Sequence, residues 1–222
     1  MQRARQMSDS IELGIVLALA GGFMDAYSYI GRDGVFANAQ TGNILLTGVH
    51  LSEGDFALAM RYLVPVLCFA AGIVISDLVH ERISSRFHWR QVTVLAEVLI
   101  FCVVSFMGAE LNLQANCLIS FACGMQVESF RKIHGHGMAT TMCIGNLRSA
   151  LQSVDDFVIT HERGFLENSL LYFGAILCFV LGAVLGNWCL DMLGLRATLM
   201  CAGLLMIAFA LMLIDREKAA RS

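Results

Sequence analysis

Asp25 lies inside an otherwise apolar first segment, and the stretch around it, GGFMDAYSYIGRDGVFANAQTGN over residues 21–43, has a faint echo around Glu128. Placing Asp25 on Glu128 also puts Gly21 on Gly124, Ile30 on Ile133, Gly34 on Gly137 and Gly42-Asn43 on Gly145-Asn146. A carboxylate in a membrane helix costs roughly 3 kcal/mol or more unless it is paired or hydrated, so such residues mark pathways and binding sites. The chemistry open to Asp25 is proton or cation binding. It has no basic residue three or four positions on, and Arg32 is two turns away across Gly31.

Each copy of the echo carries a polar, glycine-bearing stretch after its first helix. One is Phe36-Ala37-Asn38-Ala39-Gln40-Thr41-Gly42-Asn43, and the other is Met138-Ala139-Thr140-Thr141-Met142-Cys143-Ile144-Gly145-Asn146. Such segments are too polar to face lipid and too apolar for ordinary loops. Irregular backbone at membrane depth is tolerated where it is buried or lines a cavity, and a half-helix N-terminus there holds anions. A re-entrant or broken helix is therefore predicted in each half. Asn38, Gln40, Thr41, Asn43, Thr140, Thr141 and Asn146 would supply donors and acceptors, with Gly42 and Gly145 beside them. The competing reading is helix–helix hydrogen bonding, worth about 0.6 kcal/mol per contact.

The two acids are not expected to pair with each other. At about 1.5 Å per residue, Asp25 and Glu128 fall at different depths in a core roughly 30 Å thick. Glu128 has Arg131 and Lys132 three and four residues on, which an ordinary helical ion pair explains. Glu97, in the middle of the third apolar segment, is a further acidic candidate. Arg148 follows the second Gly-Asn and would meet either an anionic solute or solvent.

These residues must be positioned by membrane helices. The 222-residue chain is 57% hydrophobic and 15% charged with mean hydropathy +0.68, too apolar for a soluble domain, which carries roughly a quarter charged residues. Residues 169–190 and 197–214 are uncharged runs long enough to cross a bilayer. Residues 11–30, 57–77 and 92–107 are apolar with isolated charges, and 113–127 is uncharged. If the N-terminus is cytoplasmic, all of the 15 Lys and Arg except Arg32, Arg61 and Arg196 fall on the inner side, as the positive-inside rule asks. The expectation is an all-α, polytopic membrane protein with about six transmembrane helices and both termini in the cytoplasm. Counting 35–51 and 138–154 as full spans would put Arg82, Arg86 and Arg90 outside. The whole of 1–222 reads as one membrane domain, and residue 11 onward as a retained first helix rather than a cleaved signal. Repeat 1 covers about 11–107 and repeat 2 about 113–214. Three spans per unit force the second copy to insert inverted, an arrangement found in secondary transporters.

Other classes find little support. The 8 cysteines are scattered singly without C-x-x-C or paired Cys/His spacing, and His134 and His136 lack a third ligand nearby, so no metal and no cofactor are expected. Net charge is -3 with no basic cluster beyond the inner loops, which argues against nucleic acid. Phosphate loops, G-x-S-x-G and H-E-x-x-H are missing, and no nucleophile–base constellation assembles, so an enzyme is not expected. Pro65 would kink the second span. Gly182 and Gly186 form a G-x-x-x-G that suits close packing within the chain, although a six-span protein of this size also works as a homodimer.

Gly22-Phe23-Met24-Asp25-Ala26-Tyr27-Ser28, Gly34-Val35-Phe36 and Thr41-Gly42-Asn43, with Gly124-Met125-Gln126 and Thr140-Thr141 in the second half, resemble the YoaK family of bacterial membrane proteins over nearly the entire length. The resemblance implies about six spans in a bacterial inner membrane and no established substrate. It adds Gln126 to the candidate pathway. Val127 and Glu128 depart from the pattern after that glutamine, which lowers the weight on Glu128. The expected function is secondary transport of a small polar or anionic solute, proton- or cation-coupled through Asp25. A passive pore and a non-transporting scaffold or accessory subunit remain the alternatives.

Overall fold

The computed structural model describes residues 11–82, 89–130 and 143–219, with side chains up to residue 213. Every regular element among them is helical. The apolar segments become α1 (Ile11–Gly31), α3 (Phe56–Arg82), α4 (Trp89–Val104), α5 (Asn112–Ser129), α7 (Arg163–Leu193) and α8 (Thr198–Ala219). Two further helices, α2 (Gln40–Ser52) and α6 (Cys143–Thr160), occupy the polar stretches that follow α1 and α5. In lipid the backbone must satisfy its own polar groups, which is why apolar runs of this length close into helices.

Among the described residues, three helical stretches are long and apolar enough to cross a membrane: Ile11–Gly31, Phe56–Arg82 and Arg163–Leu213. The last spans 51 residues, far more than one crossing needs. Gly194, at φ +58°, breaks it between α7 and α8, followed by a short 3-10 turn. Large apolar side chains such as Leu67, Leu170, Leu177 and Met192 point outward, as a bilayer requires.

Packing is set by glycines. α1 lies against α7 and α3 against α5. A Cβ on Gly22 would overlap the Phe179 carbonyl, one on Gly182 the Leu19 carbonyl, and one on Gly186 would stand 2.7 Å from the Phe23 carbonyl. In the other pair, Gly124 abuts the Phe69 carbonyl and Gly72 the Phe121 carbonyl. The G-x-x-x-G of α7 thus serves packing within the chain. α2 rests on α3 and α6 on α7, while α4 and α8 pack together and contact α5 and α1 respectively. Leu13, Leu17, Phe101, Ile119 and Leu205 fill the interior between α1, α4, α5 and α8.

Two polar clusters hold the ends of this bundle. At one, Ser129 links Ser76 (3.0 Å) to Thr93 (3.1 Å), joining α3, α5 and α4. At the other, Arg32 is fully buried. Its guanidinium donates to the carbonyls of Val104, Met107 and Gly108, to Asn112 Oδ1 and to the Tyr27 hydroxyl, at 2.9–3.1 Å. The Val104 carbonyl is at the negative end of α4 and those of Met107 and Gly108 follow just beyond it, so a cation is stable there without a carboxylate. Tyr27 donates in turn to the Leu195 carbonyl, and Asn116 Nδ2 to the Arg32 carbonyl.

Candidate functional site

After α1 ends at Gly31, positive φ at Asp33 and Gly34 turns the chain, and the extended linker 35–39 doubles back along the helix it has just left. Hydrogen bonds fix how far it returns. Asn38 Nδ2 donates to the Gly21 carbonyl (3.2 Å), and the backbone N–H groups of Asn38 (2.7 Å) and Ala39 (3.4 Å) donate to Asp25 Oδ1. α2 therefore begins at the level of the middle of α1, with the Asp25 carboxylate at its N-terminus. The buried acid that the sequence leaves without a partner is held by the backbone of the polar stretch, at the end of a helix whose dipole favours a negative charge.

Asn43 secures the return. It is fully buried: its Oδ1 accepts from Phe36 N–H (3.0 Å), and its Nδ2 donates to the Phe36 carbonyl and to Gln40 Oε1, both at 2.8 Å. Gln40 Nε2 donates to the Ala37 carbonyl at 2.8 Å. The amide of Asn43 thus replaces the backbone partner that an extended segment in a membrane would otherwise lack.

A cavity of about 540 Å³ opens beside Asp25. Asn38, Gln40 and Thr41 line it from the start of α2, and Cys143, Ile144 and Gly145 from the start of α6. Phe69 of α3 and Phe179 of α7 face it from two sides. The first turns of both short helices meet at one space, and Asp25 is the acid that borders it. Of the expected site residues, Asp25, Asn38, Gln40, Thr41 and Gly145 come together here. Gly42, Asn43, Gln126, Glu128, Asn146 and Arg148 do not line the cavity. Asn43 and Asn146 are buried behind it in the first turns of their helices, Gln126 is buried in α5, Glu128 is half-buried, and Arg148 is exposed. Thr140 and Thr141 lie outside the described residues, as do Arg131 and Lys132, the expected partners of Glu128.

The register of the echo shifts by one in its first helix. Gly22 and Gly124 make matching contacts with the carbonyls of Phe179 and Phe69, so Asp25 corresponds to Val127 rather than to Glu128. The acid-for-acid match does not hold in the packing, because helices are aligned by where their backbones touch. The aromatic walls were missed from sequence, yet a signal exists: Tyr62, Leu67, Cys68, Phe69, Gly72 and Val74 recur in the same spacing as Tyr172, Leu177, Cys178, Phe179, Gly182 and Val184.

Helices of this length and apolarity define a polytopic membrane protein, which sits in a lipid bilayer. Residues 13–211 match the family described as "Protein of unknown function (DUF1275)", and the chain belongs to that family. The chain is also similar to the "UPF0700 transmembrane protein YoaK" of Bacillus subtilis (strain 168), at 25% identity over 179 residues, covering 77% of this chain and 79% of the relative. No solved structure matches it.

Proposed function

We propose that the protein is a secondary transporter of a small polar or anionic solute across the bacterial inner membrane, with Asp25 binding the coupling proton or cation. The observation that carries this reading is that Asp25 and the N-terminal turns of α2 and α6 wall a single cavity. About six spans with both termini cytoplasmic, arranged as two inverted repeats, would give the two gates that alternating access needs. Repetition in the packing supports that arrangement: α1 on α7 matches α5 on α3, α2 on α3 matches α6 on α7, and α1 on α8 matches α5 on α4. The recurring Tyr, Leu-Cys-Phe, Gly and Val of α3 and α7 support it further.

In this reading Asp25 occupies the anion-favouring end of α2 while the cavity is empty. Proton or cation binding weakens the hold of Asp25 on the N–H groups of Asn38 and Ala39, and these then become available to the anionic group of a solute. The rest of the wall, including Ile30, Phe36, Phe69 and Phe179, is apolar and suits a solute whose polar group is joined to an apolar body. The test is a stability screen of the purified protein against metabolites and ions at two pH values, followed by uptake into proteoliposomes. Uptake that saturates and is lost in Asp25→Asn is expected; uptake unchanged in Asp25→Asn and Asn43→Ala would reject the mechanism. Flux without saturation or gradient dependence would favour a passive pore. The internal pairing of Asn43 and Gln40 favours a second reading, a scaffold whose polar residues only bind helices together, and that reading predicts a stable copurifying partner.

A further inference from the structure

α3 and α5 touch backbone to backbone, and their contacts fix the register. Ser76 Oγ donates to the Met125 carbonyl, a pair 49 residues apart in sequence. Gly72 meets the Phe121 carbonyl at the same separation, one turn earlier on both helices. The helices therefore run parallel, and one further turn back brings Cys68 opposite Cys117. Both cysteines are free and half-buried, and the Cys117 thiol is in hydrogen-bonding contact with that of Cys68. A disulfide asks for Cα atoms roughly 4.4–6.8 Å apart, which between two helices needs a close seam, and Gly72 makes this seam close one turn away. The seam between α1 and α7 lacks such a pair. Leu19 faces Gly182 and Phe23 faces Gly186, so one turn back come Ile15 and Cys178, which line a small pocket together. Cys123 and Cys201 also come near each other, but both are fully buried, out of reach of a reagent dissolved in lipid.

We propose that Cys68 and Cys117 form an oxidisable dithiol, closed to a disulfide by a lipid-soluble quinone, and that the disulfide locks α3 to α5. Both S–H bonds break and one S–S bond forms. The two electrons and two protons pass to the quinone, which leaves as the quinol. Every reactant and product is uncharged, as an apolar surround requires, because an ion formed there would be costly. The half-buried thiols are open to a reagent in the bilayer, and the pair is already in register, so closure needs no rearrangement of the helices. Phe69, the residue after Cys68, walls the cavity beside Asp25, so the lock holds one wall of that cavity against α5. This assignment holds whether or not a solute crosses the membrane.

The test uses the full chain in proteoliposomes, treated with a fully substituted short-chain quinone or with copper–phenanthroline, then alkylated and mapped by mass spectrometry without reduction. The expected result with either reagent is a peptide pair joined through Cys68 and Cys117, lighter by two hydrogen atoms and separated again by dithiothreitol, while Cys178 stays open to alkylation. Quinol should appear in equal amount in the quinone arm. Cys68→Ala and Cys117→Ala should each abolish the joined pair, and should one fail to fold, the other gives the same reading. The joined protein should melt about 5 °C or more above the reduced one, a difference absent from the alanine variants. Joining by copper–phenanthroline alone would overturn the quinone as oxidant, and joining by neither reagent would overturn the pair. A joined protein that melts with the reduced one would overturn the lock.

Discussion

Gly22 of α1 lies so close to the backbone carbonyl of Phe179 on α7 that an added Cβ would overlap the oxygen. Gly124 and Phe69 repeat the relationship between α5 and α3. Neither carbonyl belongs to a side chain that can turn away, so Gly22→Ala and Gly124→Ala should each force the helices apart. Each should destabilise the protein by about 2 kcal/mol or more. Gly48→Ala and Gly203→Ala meet open space in helix interiors and should stabilise by roughly 0.5–1 kcal/mol. Unfolding of the four variants in the same detergent checks the contrast, and equal effects would mean that close packing does not set these two interfaces.

Asp25 can be separated into a structural and a chemical part. Asp25→Asn keeps an oxygen that accepts from Asn38 N–H, whereas Asp25→Ala leaves that buried donor unmet. The alanine variant should lose about 1–3 kcal/mol, and the asparagine variant markedly less. Thermal melts of both variants, read beside ligand binding, give the comparison. An asparagine variant as unstable as the alanine one would mean that the charge itself holds the linker in place.

The apolar segments and the polar interruptions were legible because a membrane helix needs a long uncharged run and tolerates polar backbone only in a sheltered place. The same logic picked out Asp25, whose neighbours in sequence offer it no partner. The role of Arg32 was not legible, because its acceptors are mostly backbone carbonyls at and just after the end of α4, distant in sequence, and carbonyls carry no residue signature. Asn43 was read as a pathway donor, whereas its amide serves the backbone of Phe36. The true register of the echo was hidden because Glu128 offers an acid where Val127 holds the matching place. Phe69 and Phe179 were overlooked because phenylalanine in an apolar span reads as lipid-facing until its cysteine, glycine and valine companions are compared between halves.

Arg32 gives a prediction about the bundle end remote from any solute. All its N–H groups are used, largely by carbonyls closing α4, and its own carbonyl receives Asn116. Lysine offers a single ammonium that cannot reach all these acceptors, so Arg32→Lys should not rescue the site. Loss of about 3 kcal/mol or more is expected, because buried acceptors are left unmet. Comparing the stability of Arg32→Lys and Arg32→Met checks this, and a lysine variant as stable as the parent would remove the argument that fork geometry is needed.

Cys143 offers a direct probe of the cavity, since it stands half-buried at the first turn of α6 and lines the space beside Asp25. Cys123 is fully enclosed between α1, α4 and α5, so the two thiols should differ in access although they belong to the same interior. In variants that retain one or the other cysteine, a small membrane-permeant thiol reagent should modify Cys143 roughly tenfold faster or more than Cys123, because reaction follows exposure of the thiol. A solute that binds the cavity should slow the reaction at Cys143 and leave Cys123 unaffected, and a bulky adduct at Cys143 should abolish stabilisation by that solute. Mass spectrometry over a time course measures all three effects. Equal rates for the two cysteines would mean that the cavity is closed to reagents, and labelling undisturbed by a stabilising solute would place the binding site elsewhere in the molecule.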